Sequence, residues 1–328
     1  MQISGVTIQG GVNLAPGGSG GSGDSGGSGG LSNGYTSGGS NNDVSGAETT
    51  IEKFPFASED NATYVGDLTE GRSSGGAGQS SDVSGYTAGK TNTIDKFPFA
   101  SDDNATDVGD LTQARYYIAG NSSSVSGYSS GGWHWDLGTP GTANIIDKFP
   151  FSSDTNATDV GDLSQTTEGK PAGQSSTDNG YVSGGFIGGW GDTTLDKIDK
   201  FPFSSDSNAT NIGNLTSERK NASGQSSSES GYTSGGRGPN SIGQLNTIDK
   251  FPFASDANAI DVGDLTSVTR DAAGQSSSSN GYSSAGSNYD LTPYHQSMIN
   301  KFPFTSDSNA TDVGDLTLNR SGSSGQQG

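Results

Sequence analysis

The chain of 328 residues has no cysteine, which removes disulfides, thiolate nucleophiles and cysteine-ligated metals. It has two histidines, His134 and His295, too few for a histidine-rich metal site. Basic residues are scarce: 16 Lys and Arg face 36 Asp and Glu, giving a formal charge of −20. A surface of that sign repels phosphate backbones, so nucleic acid is not an expected partner. No run approaches the roughly 18 apolar residues of a membrane span. Met1 to Gly10 shows neither the cationic region nor the apolar core of a secretory signal. Leu, Ile, Val and Phe together number 52, about 16% of the chain. Few apolar residues with high net charge is the composition of a disordered chain, which cannot bury enough surface to offset its conformational entropy.

What is present is repetition, and repetition changes that reading. Lys-Phe-Pro-Phe occurs six times, beginning at Lys53, Lys96, Lys148, Lys200, Lys250 and Lys301, at spacings of 43, 52, 52, 50 and 51. Twelve of the 13 phenylalanines lie in these tetrapeptides: Phe54, Phe56, Phe97, Phe99, Phe149, Phe151, Phe201, Phe203, Phe251, Phe253, Phe302 and Phe304. A Gly-Tyr motif recurs at Tyr35, Tyr86, Tyr128, Tyr181, Tyr232 and Tyr282. A Gly-Gln/Asn-Ser motif recurs at Gln79, Asn121, Gln174, Gln225 and Gln275, with a reduced copy at Gly325-Gln326.

Each unit therefore holds four short segments: Gly-Gln-Ser-Ser, Gly-Tyr-x-Ser-Gly-Gly, Ile-Asp-Lys-Phe-Pro-Phe and Asp-Val-Gly-Asp-Leu. None has helical spacing, and all are bounded by turn formers. The two phenylalanines of a unit stand two apart, so a strand places both on one face, the predicted core contribution. The proline between them removes a donor and predicts a short, bulged or edge strand. Four strands per roughly 50 residues is the arithmetic of a propeller blade, with a β-solenoid as the rival. The first complete motif enters at the second strand of a unit, and Arg320 to Gly328 supplies a first strand. Those fragments sum to one blade. The prediction is an all-β, six-bladed propeller over 31–328, closed by pairing its terminal strands, preceded by an extension over 1–30.

The order Arg115, Ala119-Gly120, Gly127 to Gly132, Ile146 to Phe151, Asp154-Thr155-Asn156 and Val160 to Leu163 resembles a kelch-type repeat. It departs at the kelch Trp, replaced by Val or Ile, and at the Arg, absent where Thr166 and Thr167 stand. The wording Lys-Phe-Pro-Phe-Ala-Ser-Asp-x-Asn-Ala-Thr-Asp-Val-Gly-Asp-Leu is similar to repeats in virion proteins of marine tailed phages, notably those of cyanobacteria. That resemblance implies a virion component, located on the particle. Met1 to Leu14 alternates like a strand, and a Gly/Ser tract to Gly30 reads as a flexible tether. A strand on a tether suits docking on the edge of another virion subunit.

Acids recur at one offset: Asp102, Asp103, Asp107 and Asp110 in one unit, Asp307, Asp312 and Asp315 in another. Such oxygens around a glycine suit Ca²⁺, with Asp103, Asp107, Asp110, Asp312 and Asp315 as candidate ligands. Repeated Asx-turns demand the same residues and are the preferred reading. No other cofactor is expected. Asn-Ala-Thr at Asn61, Asn104, Asn156, Asn208 and Asn309 matches a glycosylation acceptor, but five copies at one offset point to a role in the fold. The lysines before Phe-Pro-Phe are expected to pair with the neighbouring acids.

Nothing resembles a nucleophile held beside a base, and repeated acids are a poor basis for catalysis at one place. The chain is not expected to be an enzyme. Symmetry breaks in the connections between Gly-Tyr-x-Ser-Gly-Gly and Lys-Phe-Pro-Phe, which hold Trp133, His134, Trp135, Phe186, Trp190, Tyr289 and Tyr294. Equivalent loops of a propeller emerge on one face, and aromatics on variable loops over a rigid frame read as a binding surface for a partner protein or host-surface glycan. The predicted function is a non-enzymatic virion structural protein: a fibre, decoration or neck component. A lectin-like propeller on a bacterial surface or in extracellular matrix, and a kelch-type interaction scaffold, are the alternatives.

Overall fold

The computed structural model describes residues 31–41, 46–73, 75–136, 139–188, 193–239 and 242–328. The predicted 1–30 extension and Trp190 lie outside them. No helix occurs among the described residues, and none is therefore long and apolar enough to cross a membrane. Six antiparallel sheets form the six blades of a propeller.

Blade 1 consists of Ser324–Gln327, Asn33–Ser37, Glu48–Pro55 and Thr63–Arg72, from inside to outside. Blade 2 follows with Ala77–Ser80, Ser84–Ala88, Thr93–Pro98 and Thr106–Asp110. Blade 3 uses Ala119–Ser122, Ser126–Ser130, Thr139–Pro150 and Thr158–Thr167. Blade 4 uses Ala172–Ser175, Asn179–Ser183, Lys197–Pro202 and Thr210–Asn214. Blade 5 uses Ser223–Ser226, Ser230–Ser234, Thr247–Pro252 and Ile260–Asp264. Blade 6 uses Ala273–Ser276, Asn280–Ser284, Gln296–Pro303 and Thr311–Ser321. The ring closes in blade 1, where Tyr35 stands opposite Gln326 and Thr36 opposite Gly325. This is the closure that the phase of the repeats requires, and it removes the solenoid alternative.

The core lies between blades. Each Gly-Tyr tyrosine packs on both phenylalanines of the following blade: Tyr128 stacks on Phe203 at 4.9 Å and meets Phe201 at 5.5 Å. Phe54 and Phe56 meet Tyr282 of blade 6 in the same way, at 5.7 and 4.6 Å. Both phenylalanines of a unit thus face one side, as their spacing predicts. The tip of the first ring reaches over the glycine opposite it. A Cβ at Gly180 would sit 2.3 Å from the Phe201 ring, so a motif glycine is the cross-strand partner the ring needs. Ile, Leu and Val or Ile from one blade complete each inter-blade cluster, with an Asn-Ala-Thr or equivalent alanine from the next. Full burial of one such Phe contributes about 1.5–3 kcal/mol, and the pattern is used at every interface.

The proline strand is neither an edge nor broken by its proline. It is the third of four, and the proline is its last residue. The outer strand begins opposite the lysine, so the missing donor falls where no partner strand runs. The bulge lies earlier, between Ile198 and Asp199.

Charge pairing also differs from expectation. The lysines do not pair with the adjacent acids. Lys53 reaches Asp102, Lys96 reaches Asp154 and Lys148 reaches Asp206, at 2.6, 3.0 and 3.0 Å, each on the loop of the next blade. The adjacent acid points the other way and is buried. Asp95, Asp147 and Asp249 receive Arg72, Arg115 and Arg219 from the outer strand or following connection of the preceding blade, at 2.9, 2.7 and 3.0 Å. Arg320 pairs with Glu52 across the closure. Alternation explains this: Lys and the acid before it face opposite sides of one strand.

Candidate functional site

The near-identical loops and the variable loops occupy opposite poles. The Asp/Asn-rich loop after Phe-Pro-Phe gathers at the first pole. There Asn156 accepts from Asp110 N at 3.1 Å, and Asn208 from Asp162 N at 3.1 Å, so each Asn-Ala-Thr asparagine latches one blade to the one before it. Asp107 and Asp312 accept from Gly109 N and Gly314 N at 3.1 and 3.2 Å, the Asx-turn pattern. Asp103 accepts from Ser101 at 2.6 Å. The side chain of Asp315 accepts from Ser297 at 2.7 Å, and the carbonyl of Asp110 from Ala157 N at 2.7 Å. Among the described residues no three His, Asp or Glu side chains converge as a metal site.

The opposite pole carries the connections into each inner strand and those between second and third strands. Bridges tie the two kinds together: Tyr116 with Trp133, Glu168 with Phe186, Lys220 with Arg237, and Arg270 with Ser287. Trp133 and His134 lie on a short strand, Trp133–Asp136, paired with the start of Thr139–Pro150. Trp135 shares that strand, its side chain being outside the described set. Trp133 is half-buried, 5.8 Å from the Tyr116 ring. Tyr289 and Tyr294 are 54% and 45% exposed on one loop of blade 6, with rings 6.2 Å apart. Phe186 is buried, with the Lys220 ammonium 3.8 Å above its ring. The structure therefore brings Phe186, Tyr289 and Tyr294 to the same pole as Trp133, but only the two tyrosines present much free ring.

The axis is closed at this pole. The six inner strands approach so tightly that their glycines touch in sequence. A Cβ on Gly173 would lie 2.1 Å from the Gly120 carbonyl oxygen, and the same holds for Gly224 against Gly173, Gly274 against Gly224 and Gly325 against Gly274. A ring of side-chain amides reinforces them: Gln174 donates to Tyr232 O at 3.0 Å, Gln275 to Tyr35 O at 2.9 Å and Gln326 to Tyr86 O at 2.9 Å. A cavity of about 40 Å³ remains on the axis. Lys170 lines it, 7% exposed, and burial lowers its pKa to about 8, with Asp271 pulling in the opposite direction.

Beside the axis lies a larger cleft of about 190 Å³, lined by Tyr117, Glu168, Phe186, Lys220, Arg237 and Arg270 among others. Its cations come from a loop of blade 5, Arg237, and from the connections on either side of that blade, Lys220 and Arg270. Arg270 also stacks 4.2 Å from the Tyr289 ring and stands 3.5 Å from Asp271. Burial raises the Glu168 pKa, opposed by Lys220. Lys170, Lys220, Arg237, Arg270 and Glu168 were not singled out from sequence. A signal was present: ten of the 16 basic residues fill the two repeated slots, six lysines and four arginines, and these four fall outside both.

No protein-family model matches the chain, and no curated protein sequence does. A solved structure described as "Structure of YjhT" is similar in fold, with a TM-score of 0.64 at 11% identity, covering 76% of this chain and 86% of that one. The shared feature is the propeller. At that identity the likeness speaks for the fold alone.

Proposed function

We propose that the protein is a non-enzymatic attachment module, a rigid propeller that binds through its variable pole. One observation carries this reading: the repeated residues are spent on inter-blade contacts and one pole, while departures from the repeat gather at the other. A frame of that kind holds loops in place without constraining their content. The acids that recur across most units serve as turn acceptors and ion-pair partners, which supports a role other than catalysis. The similarity of the repeat wording to virion proteins of marine tailed phages supports a virion setting, as fibre, decoration or neck component, with residues 1–30 as the link to other subunits.

Deleting 1–30 should abolish incorporation into particles while the isolated propeller keeps its melting transition. Incorporation at the wild-type level would sink the virion reading. A lectin-like role is the second reading, favoured by the exposed rings of Tyr289 and Tyr294, since flat aromatic faces suit sugar rings. Glycan-array binding that disappears in Tyr289→Ala or Tyr294→Ala would favour it over protein recognition.

A further inference from the structure

We infer that the interface between blades 3 and 4 holds a monovalent cation, of the size of potassium, beside the carboxylate of Asp199.

The repeat itself supplies the first argument. Four of the six interfaces pair a buried acid with an arginine: Arg72 with Asp95, Arg115 with Asp147, Arg219 with Asp249 and Arg320 with Glu52. At a fifth, Thr269 and Asn300 replace both partners, so neither charge is present. Between blades 3 and 4 only the arginine is replaced. Thr167 stands in its position, four residues after Leu163, and Asp199 keeps the acid. Asp199 is 5% exposed, and among the described residues it forms no ion pair. Its two oxygens accept from Ser164 N at 2.8 Å and Ser164 Oγ at 2.7 Å, which suits the ionised form. Those bonds leave room for a cation. Thr112 and Thr216 make the same pair of bonds to Asp147 and Asp249, and an arginine is accepted in addition. A carboxylate buried without a counter-charge is strongly unfavourable, and folded proteins pair such groups or give them a metal ion.

The surrounding oxygens are the second argument. In blade 3 the guanidinium of Arg115 donates to Gly131 O, Ile145 O and Ser129 O as well as to Asp147. In blade 5 Arg219 donates to Gly235 O and Thr247 O. The same repeat positions in blade 4 are Gly184, Lys197 and Val182. Together with Thr167 and Asp199 they line a cavity of about 10 Å³. Threonine is shorter than arginine, so the cavity falls where the guanidinium lies in the neighbouring blades. Carbonyl oxygens and a carboxylate are the donor set of a hard cation, and a single negative charge matches a monovalent one. The volume is at the lower limit for one water-sized occupant, which is too small for a guanidinium or an alkylamine. Lys197 stands two residues before Asp199 on the same strand face, yet makes no ion pair with it.

Melting of the full chain in potassium chloride and in choline chloride at one ionic strength tests this. Potassium should raise the midpoint by about 2–4 °C over choline, the scale of one weakly bound ion on a chain of this size. Thr167→Arg restores the repeat's own pair and should abolish the difference, as should Asp199→Asn. Each variant is compared with itself in the two salts, so a lower starting stability does not obscure the result. Lys197→Met should retain the difference. A crystal soaked in thallium(I), a stand-in for potassium, should show an anomalous peak beside Asp199. Equal midpoints in the two salts for the unaltered chain overturn the assignment. So does a potassium effect that survives Thr167→Arg or Asp199→Asn, or a soaked crystal with no peak at Asp199. A difference that arises only in Lys197→Met makes Lys197 the counter-charge and likewise removes the site.

Discussion

The ammonium of Lys170 donates a 2.8 Å hydrogen bond to the carbonyl of Ser323, 153 residues away in sequence. A second, of 3.0 Å, goes to Ala272. One side chain entering blade 4 therefore ties the approaches to blades 6 and 1 across the axis. The cation thus links blades that are not neighbours in the ring.

That tie has a pH signature. Burial lowers the Lys170 pKa to about 8, below its ordinary value in an unfolded chain. Between about pH 8 and the unfolded value near 10.4, the unfolded chain binds more protons, so this group's contribution to stability rises with pH. Below pH 8 the cost of burying the ammonium is fully present. The stability difference between the wild type and Lys170→Met should shift in favour of the wild type as pH goes from 8 to 9.5. Denaturant melts at several pH values would show it; a constant difference would mean that the site does not perturb the amine. Above about pH 10 the sign reverses for the molecule, because burial raises the Tyr35, Tyr128 and Tyr282 phenols to about 12 and their ionisation then favours unfolding.

Gly173→Ala should be among the most damaging single-methyl additions available. The new Cβ has only 2.1 Å to the Gly120 carbonyl oxygen, and backbone on both sides is locked in the ring. Overpacking of this kind costs about 1–3 kcal/mol, occasionally more, and here the displaced atom is backbone. A drop in melting temperature of less than a degree would show that the inner strands can part.

The buried Arg–acid pairs differ in what their loss leaves behind. Arg219→Met strands Asp249 in the interior, and breaking such a pair costs about 3–5 kcal/mol. The double change Arg219→Thr with Asp249→Asn should recover most of that loss. The chain already contains this solution: Thr269 stands in the arginine position facing blade 6, where Asn300 replaces the acid and accepts from Thr266 at 2.6 Å. Urea melts of the three variants decide it. A double variant as unstable as Arg219→Met would show that the guanidinium is needed for its packing and not for the charge it neutralises.

Chelator should leave the melting temperature unchanged. The acids of the repeated pole are occupied as Asx-turn acceptors at Asp107 and Asp312 and as lysine partners at Asp102 and Asp307. A fall of several degrees in EDTA, restored by calcium, would instead place a cation among them.

Sequence by itself determined the number of blades, the four strands in each, the closure at blade 1 and the side on which Phe54 and Phe56 lie. It could do so because every blade solves the same problem, and six near-copies repeat the solution at readable spacing. The Gly-Tyr and Phe-Pro-Phe motifs name both halves of each interface, although not that the halves belong to different blades. Tertiary structure alone decided pairing across blades. Lys53 meets Asp102 and not Glu52, because strand alternation sends neighbours to opposite faces and a distant loop comes within reach. It alone decided that Gly173 needs to be glycine, because only the ring brings another backbone against it. The cleft was least legible. Lys220 and Arg270 stand one residue past Arg219 and Thr269, the same place in two successive units, and Arg237 joins them because its backbone bridges to Lys220.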